Sequence, residues 1–248
     1  MAACSKSSEV ESEIDDPGAA PFGNFINYYT FNPPENRLSL IPASLLKDLV
    51  HSEDKTLILD VGCNSGELTV AFYEHLHKSM TEEDPAQRPV HILGFDLDEN
   101  LIHRANQTNP FPENISFIHL DITSDTEALQ DYLKRHGCSR FHLCLCLAVT
   151  MWVHLNHGDS ALLQLLSDLS FYSQHLLLEA QPWKCYRSAA RRLRKLGRSA
   201  FDHFKNLGIR GDVAETAKQY LEKHCGMEFV QSFGSTTWER KLLLFKNG

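Results

Sequence analysis

The sequence predicts an α/β fold: a mostly parallel sheet that ends in a C-terminal antiparallel hairpin. Three observations carry that class. Short apolar runs alternate with helical patterns from about residue 56 to residue 180, which calls for crossover connections and a sheet covered on both faces. The last two apolar runs, GMEFVQSF and ERKLLLFK, are joined by GSTTW, too short for a crossover, so they must pair antiparallel. With 248 residues, 42% hydrophobic and 23% charged, the composition is that of a globular protein and excludes collagen-like, low-complexity and fully disordered chains.

Residues 1–18 carry five acids against one lysine and predict a disordered tail, leaving 19–248 as a single domain. From Pro21 the character changes. PFGNFINYYTFNPPENRL gathers Phe22, Phe25, Tyr28, Tyr29 and Phe31, and its prolines forbid a long helix. So many aromatics predict an arm over residues 21–37 docked on the body, as a strap or as a lid over a site. A helix follows over Ala43–Val50. TLILDVG is the first buried strand, and Glu67–Lys78 a helix. HILGFDLD, ISFIHLDI, RFHLCLCLAV and HLLLEA supply four more strands, separated by helices over Glu99–Thr108, Thr126–His136 and Ser160–Gln174. SMTEEDPAQRP reads as a loop.

No apolar run approaches the ~18–20 residues of a membrane span, and the N-terminus lacks the pattern of a secretory signal, so no membrane partner is expected. The seven cysteines form no Cys-x-x-Cys pair and suggest reduced thiols in a cytosolic or nuclear protein. Cys144 and Cys146, two apart in a strand, share one face and read as packing residues.

In open α/β sheets ligands sit beyond the carboxyl ends of the strands. Asp60 ends the first strand, Asp96 and Asp98 the second and Asp121 the third. The first strand runs through Asp60, Gly62, Cys63, Asn64 and Gly66 into a helix. The two glycines permit a tight turn and close approach of a ligand, and Asn64 is the residue type other than glycine that best tolerates left-handed dihedrals. VGCNSGELT lacks the Gly-x-Gly-x-x-Gly of dinucleotide sites. Asp-x-Gly-x-Asn-x-Gly instead resembles the first motif of class I, Rossmann-like S-adenosylmethionine methyltransferases. That resemblance implies ribose hydroxyls on Asp96 and an adenine framed by Asp121 and Ile122.

Two later segments bear on the methyl acceptor. TMWVHLNHGDSALL gathers His154, Asn156, His157 and Asp159 ahead of a helix. Lys184 to Arg198 holds seven Lys/Arg and no acid, with Tyr186, Ala189, Ala190, Leu193 and Leu196 at helical spacing and Gly197 as a stop. The formal charge of −8 therefore divides into −4 on the tail, +7 on this stripe and −11 on the rest. An acidic body with one basic stripe confines where a polyanion binds.

GNFINYYTFNPPENRL, LDVGCNSGELT, WVHLNHGD, LEAQPW and TTWERKLLLF together resemble the bicoid-interacting, methylphosphate-capping-enzyme family. The resemblance covers nearly everything from Pro21 onward. Its one visible departure is Ala180, where the family motif reads Leu-Glu-Pro-Gln-Pro-Trp. It implies S-adenosylmethionine-dependent O-methylation of the 5′-terminal monophosphate of small RNAs, such as histidine transfer RNA and some precursor microRNAs, by a cytoplasmic enzyme. The charge distribution gives no reason to propose a dimer, and a monomer is expected. Family cofactor residues map onto Tyr29, Arg37, Gly62, Cys63, Asn64, Asp96, Leu97, Asp121 and Ile122, with Leu147 as a further candidate.

With no strong base required, His154, Asn156, His157, Gln181 and Tyr186 are expected to position the phosphate. Lys184 and Arg187 would orient its other oxygens, and Arg191, Arg192, Arg194 and Lys195 would track the RNA backbone. Tyr28 or Trp183 would stack on a terminal base. No metal is expected. Two readings compete. One is transfer to a base nitrogen, whose (Asn/Asp)-Pro-Pro-aromatic pattern Gln181-Pro182-Trp183 resembles only loosely. The other is a non-catalytic RNA-binding adaptor with a vestigial cofactor fold.

Overall fold

The computed structural model describes residues 21–50, 55–78, 89–124, 126–197 and 201–248. The expected tail over residues 1–18, Cys4, Arg198 and most of the loop after residue 78 lie outside them. Seven strands form one sheet in the order β3-β2-β1-β4-β5-β7-β6. The first five, β1 (Thr56–Val61), β2 (Val90–Asp96), β3 (Ile115–His119), β4 (Phe141–Leu147) and β5 (Ser173–Glu179), run parallel. The hairpin of β6 (Met227–Ser235) and β7 (Lys241–Asn247) is antiparallel, and β7 adds to β5.

Central parallel strands are buried on both faces, and β1 and β4 are buried at every position. Alternation sends Leu57, Leu59, Cys144 and Cys146 into one core and Ile58, Leu143, Leu145 and Leu147 into the other. The thiols of Cys144 and Cys146 are fully buried, as a packing role requires. The second core is closed by α3 (Leu45–Leu49), α4 (Glu67–His77) and α5 (Glu99–Thr108). The first is closed by α6 (Glu127–Arg135), α7 (Thr150–Tyr172), α8 (Trp183–Lys195) and α9 (Val213–His224). The arm contains two single-turn helices, α1 (Tyr28–Phe31) and α2 (Glu35–Leu38), kept apart by Pro33 and Pro34, which stop α1 from continuing. Among the described residues no helix is long and apolar enough to cross a membrane.

Several elements depart from expectation. The helix expected over Ala43–Val50 occupies only Leu45–Leu49, and the third strand stops at His119. Ser173 and Gln174 belong to β5 rather than to the helix before it. No pattern was read over residues 201–225, yet α9 lies there, packing Val213, Ala217 and Leu221 into the core.

The largest departure is α7, which begins at Thr150, so Trp152, His154, Asn156 and His157 are helical rather than part of a loop. Its two halves meet at Gly158 (φ 83°, ψ −176°), a conformation open essentially to glycine alone. A Cβ there would also stand 3.2 Å from His203 Nδ1. Gly158→Ala is expected to lower stability by roughly 1–3 kcal/mol, the range for such backbone strain, read as a fall in the urea midpoint. An unchanged midpoint would show that the break carries no strain.

Candidate active site

The parallel strands deliver their last residues to one edge, and the antiparallel return of β7 brings its first residues to the same place, since Glu179 pairs with Leu242. There the β1–α4 loop turns through Gly62 (φ 68°), Asn64 (φ 53°) and Gly66 (φ 84°). A Cβ on Gly62 would lie 2.7 Å from Val149, and one on Gly66 2.7 Å from Phe117, so glycine is required at both for space as well as for φ. Asn64 takes the left-handed conformation unaided by glycine. Its Oδ1 accepts from the Ser65 amide and hydroxyl, and its Nδ2 donates to the Phe25 carbonyl at 3.1 Å.

The arm closes over this loop. Tyr29 Oη donates to the Cys63 carbonyl (3.2 Å), Asn24 Nδ2 to Asp98 (2.7 Å), and Asn156 Nδ2 to the Pro21 carbonyl (3.0 Å). Phe25 packs edge-on against Trp152 at 5.8 Å. Between arm and sheet lies a first cavity. Phe22, Asn24, Tyr28, Tyr29 and Arg37 line it from the arm side, and Asp60, Asp96 and Asp121 from the strand ends. Leu97, Ile122, Leu147, Val149, Trp152 and His157 complete its wall. The arm is thus a lid over a site.

The cavity is acidic with one cation. Burial pushes the Asp60 carboxyl up to about 7, against a 2.6 Å hydrogen bond from Thr69 and the nearby Arg37 charge. Burial likewise raises Asp96, whose oxygens accept from the Asn64 and Asp98 amides at 3.0 Å. Each of those oxygens keeps a further lone pair for a ligand. Burial also raises the Cys63 thiol, which is therefore no thiolate nucleophile.

Arg37 is fully buried and held by Glu179, itself fully buried, through Nε–Oε2 at 2.5 Å and Nη2–Oε1 at 3.2 Å. Its Nη2 also donates to Tyr28 Oη at 2.8 Å. Arg240 Nη1 reaches the same Glu179 Oε1 at 3.1 Å. Both guanidinium groups lie over Trp238, 5.2 and 5.6 Å from its ring centroid. Among the described residues two buried side-chain donors have no partner, Arg37 Nη1 and Arg240 Nε. Arg37 lines the first cavity. Arg240 lines a second, together with Phe25, Trp238, Lys184, Arg192 and Gln181.

The two cavities share Tyr28, Ala148 and Trp152. Ala148 has φ 63°, costly for a residue with a Cβ. It is held there by Gln181 Nε2, which donates to its carbonyl at 2.5 Å, and by the Glu179 carbonyl, which accepts from its amide at 3.0 Å. Lys184 and Ser188 in turn connect the second cavity with a groove along α8 lined by Trp183, Arg187, Arg191 and Arg194.

Several expected substrate contacts have other work. His154 and Tyr186 are fully buried. His154 Nε2 lies 2.6 Å from Asp159, which can only accept, and Nδ1 lies 3.0 Å from Tyr186 Oη. Burial lowers the imidazole pKa against the opposing pull of Asp159. Both donors of Asn156 are spent on the Pro21 and Trp152 carbonyls. Gln181 is buried and braces the strained Ala148 turn, accepting also from the Met151 amide at 3.2 Å. His157 lines the first cavity, not the second.

Trp183 is stacked on Tyr186 (4.9 Å) and Phe204 (5.7 Å), with Arg210 over it at 5.6 Å, so its ring is not an open base platform. Lys184 pairs with Glu239. Arg192 turns toward the arm and lies over Phe25, and Lys195 lines neither cavity nor groove. Glu179, Trp238 and Arg240 were not singled out from sequence, although LEAQPW and TTWER, which contain them, were.

Comparison with known proteins agrees with this architecture. The family model of Bicoid-interacting protein 3 (Bin3) matches residues 141–247. The chain is 64% identical over 241 residues to the pre-miRNA 5′-monophosphate methyltransferase of Danio rerio, covering 94% of this chain and 95% of the relative. It is 47% identical over 246 residues to the RNA 5′-monophosphate methyltransferase of Homo sapiens, covering 96% and 84%. Among solved structures, the N-methyltransferase NodS of Bradyrhizobium japonicum in complex with S-adenosyl-L-homocysteine superposes with a TM-score of 0.53 at 19% identity, covering 87% of this chain and 88% of that one. The methyltransferase domain of bacterial CtHen1-C gives 0.53 at 17%, covering 86% and 98%. The fold is that of class I methyltransferases, and a chain so similar to these relatives over nearly its whole length belongs to the Bicoid-interacting protein 3 family, beside the RNA 5′-monophosphate methyltransferases.

Proposed function

We propose that the chain methylates an oxygen of the 5′-terminal monophosphate of small RNAs, precursor microRNA and histidine transfer RNA among them, using S-adenosylmethionine in the cytoplasm. One observation carries the reading: an acidic cavity and a cationic cavity lie side by side, separated by Tyr28, Ala148 and Trp152. The described cysteines are free thiols, which supports a reducing compartment.

The first cavity fits S-adenosylmethionine by its donor set. The partnerless Arg37 Nη1 suits a carboxylate, Asp60 an ammonium, and the spare lone pairs of Asp96 a pair of ribose hydroxyls. Asp121, whose Oδ1 is braced by the Thr123 amide and hydroxyl, stands with Ile122 and Leu97 where an adenine would lie. Bound there, the cofactor supplies a methyl group on a sulfonium, electrophilic without acid catalysis.

The residues of this chain then have three tasks. Arg240, Lys184 and Arg192 hold the non-attacking phosphate oxygens in the second cavity. Ala148, kept strained by Gln181, places the partition between the two reactants. The arm excludes water. No base is needed, because a phosphate monoester with its second pKa near ~6 is already a dianion at neutral pH. Catalysis is then chiefly positioning.

Label from S-adenosylmethionine should pass to RNA bearing a 5′-phosphate and not to the same RNA bearing a 5′-hydroxyl. Label on both would move the acceptor to a base or ribose; label on neither would reject transfer altogether.

The Asp60 carboxyl gives a second test. Its folded-state pKa near 7 lies above the ordinary value, so folding takes up a proton between about pH 4 and pH 7. Its contribution to stability is complete below the unfolded value and is lost as pH rises through 7. Asp60→Asn can keep the Thr69 hydrogen bond and does not titrate. Its stability relative to wild type should therefore climb from pH 5 to pH 8 in urea titrations. A difference independent of pH would remove Asp60 as a titrating group. Cations of the bound cofactor favour the carboxylate, so binding at pH 6 should release a proton to buffer in wild type and not in Asp60→Asn.

A further inference from the structure

The groove along α8 has a second wall that no motif marked. The chain after α8 returns across its exposed face, placing Phe204 flat on Trp183 with planes 4° apart and setting Lys205 and Arg210 opposite Arg187, Arg191 and Arg194. Among the described residues no carboxylate lines the groove. The second wall is fixed from within. Asp159 accepts from the amides of Gly208 (2.7 Å) and Ile209 (3.2 Å) and from His154, which is tied to Tyr186 on α8. Arg210 ties its own turn through Nε to the Leu207 carbonyl and Nη2 to the Lys205 carbonyl, both at 2.7 Å, while remaining exposed and cationic.

We infer that residues 204–210 are the outer jaw of an RNA-backbone clamp. In it Lys205 and Arg210 hold phosphates downstream of the 5′ end against Arg187, Arg191 and Arg194. The inference rests on the proposed function only for the identity of the polyanion. The groove opens from the second cavity through Lys184 and Ser188, so a chain whose first phosphate sits there continues into it. Trp183 is the floor of the clamp rather than a base platform, since Tyr186, Phe204 and Arg210 cover its ring. Binding is therefore to backbone charge and independent of base identity. His154 and Asp159 act through the jaw as positioning residues.

The test is fluorescence anisotropy of a hairpin RNA bearing a 5′-hydroxyl, titrated at several salt concentrations, so that the readout does not depend on methyl transfer. Lys205→Ala/Arg210→Ala should weaken binding at least tenfold and reduce the slope of log K against log[salt] by roughly 1.5–2, from two lost phosphate contacts. Cofactor affinity serves as the check on folding. Because Arg210 also braces its turn, Lys205→Glu alone, at an exposed side chain, keeps the test independent of that brace and should still weaken binding.

Lys134→Ala/Arg135→Ala removes the same charge from α6, lines none of these surfaces, and is the control for net charge. Slopes unchanged in the Lys205 and Arg210 variants, or lowered equally by the control, overturn the clamp. If 5′-phosphorylated RNA accepts no methyl from the wild type, the proposed function fails while the slopes still judge the clamp. If methylation holds and the slopes do not move, the clamp alone fails.

Discussion

Glu179 holds the site together. It ends the interior strand β5 with no exposure to water, where an unpaired carboxylate would cost several kcal/mol, and it is compensated by two arginines from opposite ends of the chain. Arg37 comes from the arm at the N-terminal side and Arg240 from the hairpin at the C-terminal side. The carboxylate therefore requires that arm, sheet and hairpin assemble before its charge is satisfied. Removing one partner from such a buried group typically costs about 3–5 kcal/mol, far above the median exposed pair. The Trp238 ring lies against both guanidinium groups, adding a cation–π contact to each.

Two arginines on one carboxylate leave one positive charge in excess, and the geometry divides it between two places. Arg37 faces a cavity of three aspartates; Arg240 faces a cavity with Lys184 and Arg192. The same residue thus sets opposite electrostatic characters on the two sides of the Tyr28, Ala148 and Trp152 partition. The main chain reinforces this. The amide of Ala148 donates to the Glu179 carbonyl and its carbonyl accepts from Gln181, so the partition is tied to the strand that carries the triad. A methyl donor with a positive centre and an acceptor with two negative charges would be recruited to neighbouring sites by one buried network.

Much of this was legible in the sequence, and the boundary has a physical origin. Strand ends and the β1–α4 loop could be read because apolar runs, glycine positions and terminal aspartates are local signals. Asn64 was read correctly as a left-handed residue because that preference belongs to one side chain. His154 and Tyr186 were misplaced because a polar residue beside a site looks the same whether it faces the ligand or a buried partner. Burial is decided by α7 starting eight residues before Gly158, which a window containing both His and Gly did not reveal. Glu179 and Arg240 lie 61 residues apart and meet only through the antiparallel return of β7, a register that no single segment encodes. The jaw after α8 is held by one carboxylate, Asp159, about 50 residues earlier, so no local pattern marked it either.

The cations around the acceptor are of two kinds, and the difference follows from what each must do. Those nearest the chemistry arrive already engaged: Arg240 with Glu179, Lys184 with Glu239, Arg192 over Phe25. Beyond Lys184, those of the groove line a surface on which the described residues place no acid. A bare guanidinium on the attacking phosphate would bind tightly but withdraw the electron density that the new O–C bond needs. A guanidinium shared with a carboxylate orients the phosphate while drawing less from it. The exposed Lys184–Glu239 pair contributes little by itself, so an arriving phosphate displaces Glu239 at small cost. Affinity can then be supplied away from the reaction, by groove contacts whose strength does not change as the bond forms. On the proposed reading, those contacts would hold the RNA without stabilising the unreacted phosphate, which lets binding strength and reactivity be set by different residues.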